Sequence, residues 1–198
     1  MADAIIAQNE SDRIMVIHEK LYTVDEFEAF IATAEKEDCR FELIHGEIVE
    51  KMPTQKHAAI VGFFIGHLFI YFKEHPIAWL LPEARYRILQ DNHNARVPDI
   101  SVVLDRSRPL VEKVPAPYMP ELAIEVQSPD DSLKAMVEKA AYYLQNGTRM
   151  VWLVYVDKRL IEVLTADDRQ ILTENDALNG GDLLPGFTLA VRDIFAGL

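Results

Sequence analysis

Two acidic residues sit inside strand-like apolar runs: Asp99 in Val97-Pro98-Asp99-Ile100-Ser101-Val102-Val103-Leu104, and Glu125 in Leu122-Ala123-Ile124-Glu125-Val126-Gln127-Ser128. An ionised carboxylate loses hydration on burial unless it is paired, hydrogen-bonded or bound to a cation, so two at neighbouring strand ends point to a cation site. Alternation puts Asp99, Ser101 and Val103 on one face and Ile100, Val102 and Leu104 on the other. By the same rule Gln127 shares the face of Glu125. If the two strands are neighbours, Asp99, Glu125 and Gln127 converge. Such a pair suits Mg2+, which takes oxygen ligands, keeps several waters and is often held by one or two carboxylates plus a substrate phosphate. The dication would lower the pKa of a bound water and stabilise charge growing on a phosphate oxygen. A purely structural reading stays open, with Asp99 as a turn residue after Pro98 and Glu125 paired with a nearby arginine.

Lys139 bears on that choice. In a helix over 132–146, Met136, Lys139, Ala140 and Tyr143 lie on one face by the three-and-four spacing, so the lysine is set in an apolar stripe directed at the sheet. It can snorkel to solvent, or deliver its ammonium to the carboxylates and a scissile phosphate. Tyr143, one turn further on, either hydrogen-bonds within the same site or simply packs with a polar tip, the second being favoured.

The elements that must position these groups follow from pattern. Thr23-Val24-Asp25-Glu26 has the form of a capping box, and Phe27, Phe30, Ile31 and Ala34 follow at helical spacing, which predicts a helix from about Val24 to Glu37. Strands over 40–44 and 47–52 flank a His45-Gly46 turn as a hairpin. Pro53 stops the second strand and Thr54 caps a core helix from about Gln55 to Glu74, apolar on nearly every face. Trp79 to Leu81, Ala84 to Leu89 and Pro98 to Leu104 read as strands. The segment 105–120, with four prolines, reads as a surface loop. A strand over 121–127 precedes the helix bearing Lys139, which Gly147 ends, and a buried strand over 150–156 follows. Leu160 to Leu164 and Gln170 to Thr173 are further, more exposed strands, before a short terminal turn. Strand, helix, strand implies an α/β chain with a mixed sheet.

The run Phe41-Glu42-Leu43-Ile44-His45-Gly46-Glu47, His57 at the head of the core helix, Pro98-Asp99, Glu125-Val126-Gln127-Ser128-Pro129, Lys139-x-x-x-Tyr143-x-x-x-Gly147 and Val151-Trp152-Leu153-Val154 together resemble the Uma-two family of restriction-endonuclease type, within the PD-(D/E)xK nucleases. The resemblance covers about Tyr22 to Phe195. It implies a restriction-endonuclease-like fold, a central mixed β-sheet flanked by helices. It also implies Mg2+-dependent hydrolysis of DNA phosphodiester bonds, with Mn2+ as a substitute cation. Asp99 and Glu125 would hold the metal, Gln127 would help orient it, and Lys139 would position the attacking water or stabilise the charge on phosphorus. One position departs from the signature: the lysine two residues after the glutamate is Gln127 here, and Lys139 is the natural substitute. By the same resemblance Glu42 or Glu47 could add a carboxylate. His57 is either a substrate or metal-shell residue or a capping or core histidine.

With 198 residues and 49% hydrophobic composition the chain is long enough for one sizeable core, read as one domain over 21–198 behind an extension over 1–20. The extension lacks the apolar run and cleavage pattern of a signal peptide, so a cytoplasmic location is expected. The apolar stretch 58–72 is interrupted by Gly62, Gly66 and His67 and is shorter than the roughly 20 residues a membrane span needs, so no membrane partner is expected. The lone Cys39 cannot form an internal disulfide and is expected to pack. A net charge of -12 supplies phosphate neutralisation poorly on average, so nucleic-acid contact must be local. Candidate cations are Lys51, Lys56, Arg85, Arg87, Arg96, Arg106 and Arg108, each also readable as solvated surface charge.

Serine hydrolase, nucleotide-binding and zinc-protease readings have no anchoring motif. A two-carboxylate glycosidase would need a cleft lined by clustered aromatic residues, for which the sequence gives no sign. The leading expectation is therefore an endonuclease, with DNA favoured over RNA. A second is a binding module on a nuclease scaffold that has lost catalysis, consistent with Gln127. Cutting two strands calls for two sites, which a homodimer would supply.

Overall fold

The computed structural model describes residues 20–33, 41–129 and 131–198. The extension before Lys20, the packing of Cys39 and the expected end of the first helix at Glu37 lie outside the described residues.

Helix α1 (Val24–Ile31) opens with the expected capping box, in which Thr23 Oγ1 accepts from the Glu26 amide and Glu26 Oε2 accepts from the Thr23 amide. Strands β1 (Phe41–Ile44) and β2 (Glu47–Glu50) form the expected hairpin. Its turn has positive φ at both central residues, 50° at His45 and 85° at Gly46, the type I′ requirement. Gly46 is needed for a second reason: a Cβ there would stand 2.8 Å from Leu21 Cβ. The turn fixes the register, with Ile44 opposite Glu47 and Glu42 opposite Val49.

Helix α2 (Gln55–Glu74) has the bounds the sequence predicts, capped by Thr54. The main sheet runs β3 (Trp79–Pro82), β4 (Ile100–Val103), β5 (Leu122–Val126), β6 (Met150–Tyr155), β7 (Leu160–Leu164) and β8 (Arg169–Leu172), in that spatial order. Only β5 and β6 pair in parallel; every other neighbour is antiparallel. The parallel step needs a crossover, and α3 (Leu133–Gln145), capped by Ser132, supplies it. The α/β architecture with a mixed sheet flanked by helices is thus the one the sequence implied.

Alternation divides the central strands between two cores. Ile100, Val102, Leu122, Ile124, Val126, Trp152 and Val154 face α2, meeting Ile60, Phe64 and Leu68. Val103, Ala123, Val151, Leu153 and Tyr155 face α3, meeting Met136, Ala140 and Tyr143. Asp99 and Glu125 fall on the α3 side by the same alternation.

The segment Ala84 to Leu89 is not a strand, contrary to expectation. Glu83, at φ 52°, ends the run of β3, and Tyr86 makes only isolated bridges to Arg96 and Ala116. Both edges of β4 are taken, by β3 and β5, so this alternating segment finds no ladder there. Two short strands escaped the sequence reading, β9 (Ala177–Asn179) and β10 (Thr188–Ala190), which lead into α4 (Val191–Ile194). They carry Leu178 and Leu189 onto the α2 core. Among the described residues no helix is long and apolar enough to cross a membrane.

Candidate active site

The β4–β5 pairing sets Ile100 opposite Ile124, so one residue further along Asp99 stands beside Glu125. Both are 3% exposed. Asp99 Oδ2 accepts from the Val126 amide at 2.8 Å and lies 3.0 Å from His57 Nε2, while Oδ1 accepts from Lys51 Nζ at 2.8 Å. Burial alone would raise the Asp99 pKa, but Lys51 and the His57 hydrogen bond outweigh it and hold the carboxyl well below its ordinary range. His57 Nε2 therefore donates to an ionised acceptor, and its Nδ1 is buried without a partner.

Lys139 joins two carboxylates. Its Nζ lies 2.9 Å from Glu125 Oε2 and 3.0 Å from Glu42 Oε2, and its side chain is 13% exposed. Lys139 therefore points at the carboxylates instead of snorkelling to solvent. The Tyr143 hydroxyl, one turn along α3, donates to Glu125 Oε1 at 2.7 Å. Glu42 is held from the other side, its Oε1 accepting from the Val97 amide at 2.6 Å. Burial opposes ionisation of Glu42, but Lys139, Lys51 and the Val97 amide bring its pKa below the usual value. Glu125 goes the other way: burial, reinforced by Asp99 and Glu42, outweighs Lys139 and Lys51 and raises it to about 7.

Lys51 appeared in the sequence only among candidate DNA contacts. Its Nζ also donates to the Val97 carbonyl at 2.9 Å, and burial, which would lower its pKa, is overcome by Glu42, Asp99 and Glu125, which raise it. Lys51 lies one residue beyond β2, so strand alternation does not mark it in the sequence, and the docking of the hairpin brings it to Asp99.

Two proposed residues are not brought to this cluster. Gln127 lies beyond the end of β5, and its side-chain Nε2 donates to the Asp131 carbonyl at 2.8 Å in the approach to α3. Glu47 is exposed at the turn end of β2. The rest, Glu42, His57, Asp99, Glu125 and Lys139, line one cavity of about 210 Å³ together with Lys51 and Arg96. Tyr143 does not line it and acts on it only through its hydrogen bond to Glu125.

Among the described residues no group of three or more His, Cys, Asp and Glu side chains is arranged to hold a metal ion. A cation here would rest on fewer protein ligands, as Mg2+ commonly does, its remaining positions filled by water or phosphate. The donors fit that mode. Asp99 and Glu125 set hard carboxylate oxygens at adjacent positions, each already accepting from Lys51, His57, Val126, Lys139 or Tyr143, so a cation would use the lone pairs that remain, and Glu125, at about 7, would be drawn to its charged form.

The raised Glu125 pKa has a consequence for stability. An unfolded glutamate titrates near about 4.3. Between there and about 7 the folded chain binds the extra proton, so Glu125 stabilises the fold at low pH and loses that contribution as pH rises through the window. The expected loss is on the order of 3 kcal/mol. Urea midpoints measured from pH 4.5 to 7.5 should fall less steeply in Glu125→Gln than in wild type; equal slopes would place the Glu125 titration elsewhere.

The Uma2 family model, described as putative restriction endonuclease, matches residues 24–192. A crystal structure of a putative nuclease belonging to DUF820 from Anabaena variabilis superposes with a TM-score of 0.73 at 26% identity, covering 87% of this chain and 97% of that one. Among curated proteins none matches.

Proposed function

The chain belongs to the Uma2 family of restriction-endonuclease type, and from that membership we propose that it hydrolyses DNA phosphodiester bonds with Mg2+ at the Asp99–Glu125 site. The observation that carries the reading is the meeting of Asp99, Glu125 and the Lys139 ammonium in one buried cluster lining an open cavity. Asp99 and Glu125 would hold the metal, and Glu42 anchors Lys139 from the opposite side. When bound, the dication supplies an activated water and neutralises charge on the scissile phosphate.

The chain's own residues do the positioning. An ammonium has three donors. Lys139 gives one each to Glu42 and Glu125, leaving the third for a phosphate oxygen or the attacking water. Lys51 gives one each to Val97 and Asp99 and likewise keeps one. His57 and the Val126 amide lock the Asp99 carboxylate, so its orientation does not have to be set during the reaction. Hydrolysis forms a bond from the water oxygen to phosphorus and breaks one P–O ester bond, the departing oxygen taking up a proton. Gln127 has no part in this arrangement. A homodimer would supply the second site needed to sever a duplex.

Supercoiled plasmid incubated with the full chain and Mg2+ or Mn2+ should be nicked or linearised, and EDTA should stop the reaction. Plasmid bound but left intact with either metal would assign the chain to binding modules that keep the fold, and plasmid neither bound nor cut would remove nucleic acid from the reading.

A further inference from the structure

Arg96 is a buried arginine with no carboxylate partner among the described residues. It is 3% exposed, and its Nε has neither solvent nor a hydrogen-bond acceptor. Arginines nearer the surface are better served: Arg85, Arg108, Arg159 and Arg169 each pair with an acidic side chain. Buried charge is ordinarily paired, because lost hydration costs several kcal/mol per ion. Among the described residues the least exposed arginine thus lacks a carboxylate, which calls for an anionic partner at its open side.

The position of Arg96 says where that partner sits. Reciprocal backbone hydrogen bonds to Tyr86, both 2.8 Å, pin the residue, and the guanidinium carbon lies 4.7 Å from the centre of the Tyr142 ring. Stacking of this kind fixes the plane of the fork. The Tyr142 hydroxyl is engaged by Asp91, which also accepts from Asn94, so neither group turns to Arg96. Arg96 lines the same cavity as Asp99, Glu125 and Lys139, and that cavity is where its remaining donors can find an acceptor. Two buried ionised carboxylates there, Glu42 and Asp99, are already matched by Lys139 and Lys51. Arg96 is thus the third cation, after Lys51 and Lys139, on a lining that also carries Glu50, Glu83, Asp131 and Glu138, and no described carboxylate stands within ion-pair distance of it.

We infer that Arg96 is an oxyanion-binding residue that takes a phosphate of the substrate backbone through its guanidinium fork; the identity of the anion as a nucleic-acid phosphate rests on the nuclease reading. A planar fork meets a phosphate by two parallel hydrogen bonds, which a lysine cannot reproduce. Arg96 holds the strand in register and leaves the chemical step to the carboxylates and Lys139.

The test uses the full chain in EDTA, with a labelled DNA duplex and inorganic phosphate as separate probes. Wild type should bind the duplex and bind phosphate in competition with it. Arg96→Met should weaken both by about 10–100-fold and reduce the slope of log affinity against log salt by about one. Arg96→Lys should keep the salt slope while binding phosphate more weakly than wild type. Thermal unfolding checks that each variant is folded, and if Arg96→Met does not fold, the Arg96→Lys phosphate titration decides. Wild-type affinity for both probes in either folded variant overturns the proposal, as does a wild type that binds no phosphate. Phosphate binding that depends on Arg96 in a chain that cleaves nothing keeps this inference and removes the nuclease reading. Cleavage by folded Arg96→Met with wild-type KM does the reverse.

Discussion

Lys139→Met is expected to cost both stability and activity, by different routes. The substitution removes one ammonium shared by two buried carboxylates, and nothing else among their hydrogen-bond partners carries charge, since Glu125 keeps only Tyr143 and Glu42 only the Val97 amide. Breaking a buried ion pair from one side costs about 3–5 kcal/mol because the other charge is left uncompensated. Glu125 can escape part of that penalty by taking up a proton, its pKa already standing at about 7. The loss should therefore be smaller at pH 5 than at pH 8, measured by urea unfolding. Lys139→Met combined with Glu125→Gln should recover part of the loss at pH 8, because the orphaned charge is gone. Under the proposed chemistry, kcat should drop about 10²–10⁴-fold, with no recovery in the double variant. A single variant as stable as wild type at pH 8 would mean that Lys139 does not neutralise the pair in solution.

Asp99→Asn is the sharper probe of the chemistry. Asparagine has nearly the shape of aspartate and can still accept from the Val126 amide, yet it carries no charge for Lys51 or for a metal. Cleavage should fall at least about 10³-fold while the chain stays folded. Isothermal titration with Mn2+ should show binding to wild type that is absent in the variant. The pH dependence also has a definite sign. The Asp99 pKa is depressed in the fold, so its contribution is present above its unfolded value near about 3.9 and is lost as pH falls below that. Wild type should lose stability more steeply than Asp99→Asn on acidification from pH 4 downward. Equal cleavage by wild type and variant would remove Asp99 from the catalytic site.

How much of this was legible in the chain depends on the range of the interaction. Local devices read directly: Pro53 and Thr54 bound α2, Ser132 and Gly147 bound α3, and His45-Gly46 sets the hairpin turn. Each works through hydrogen bonds within about four residues, so the sequence carries the information in one place. Periodicity likewise placed Asp99 and Glu125 on one face and turned Lys139 toward the sheet. What failed was continuation past the end of an element. Gln127 was given the face of Glu125 by alternation, but β5 ends at Val126 and the side chain turns to Asp131. Ala84 to Leu89 had the composition of a strand, but both edges of β4 are taken and Tyr86 makes only isolated bridges.

The sequence by itself determined the order of the main helices and central strands, the mixed α/β architecture, and two carboxylates and a lysine bound for the same side of the sheet. Only the tertiary structure decided which charges meet. It chose Glu42 over Glu47, brought Lys51 and His57 onto Asp99 from segments more than forty residues away, and left Arg96 without a carboxylate among the described residues. The physical reason is that periodicity fixes a face, whereas pairing of buried charges depends on sheet register and on how the hairpin and α2 dock against it. Those are contacts between distant segments, and no local rule in the chain encodes them.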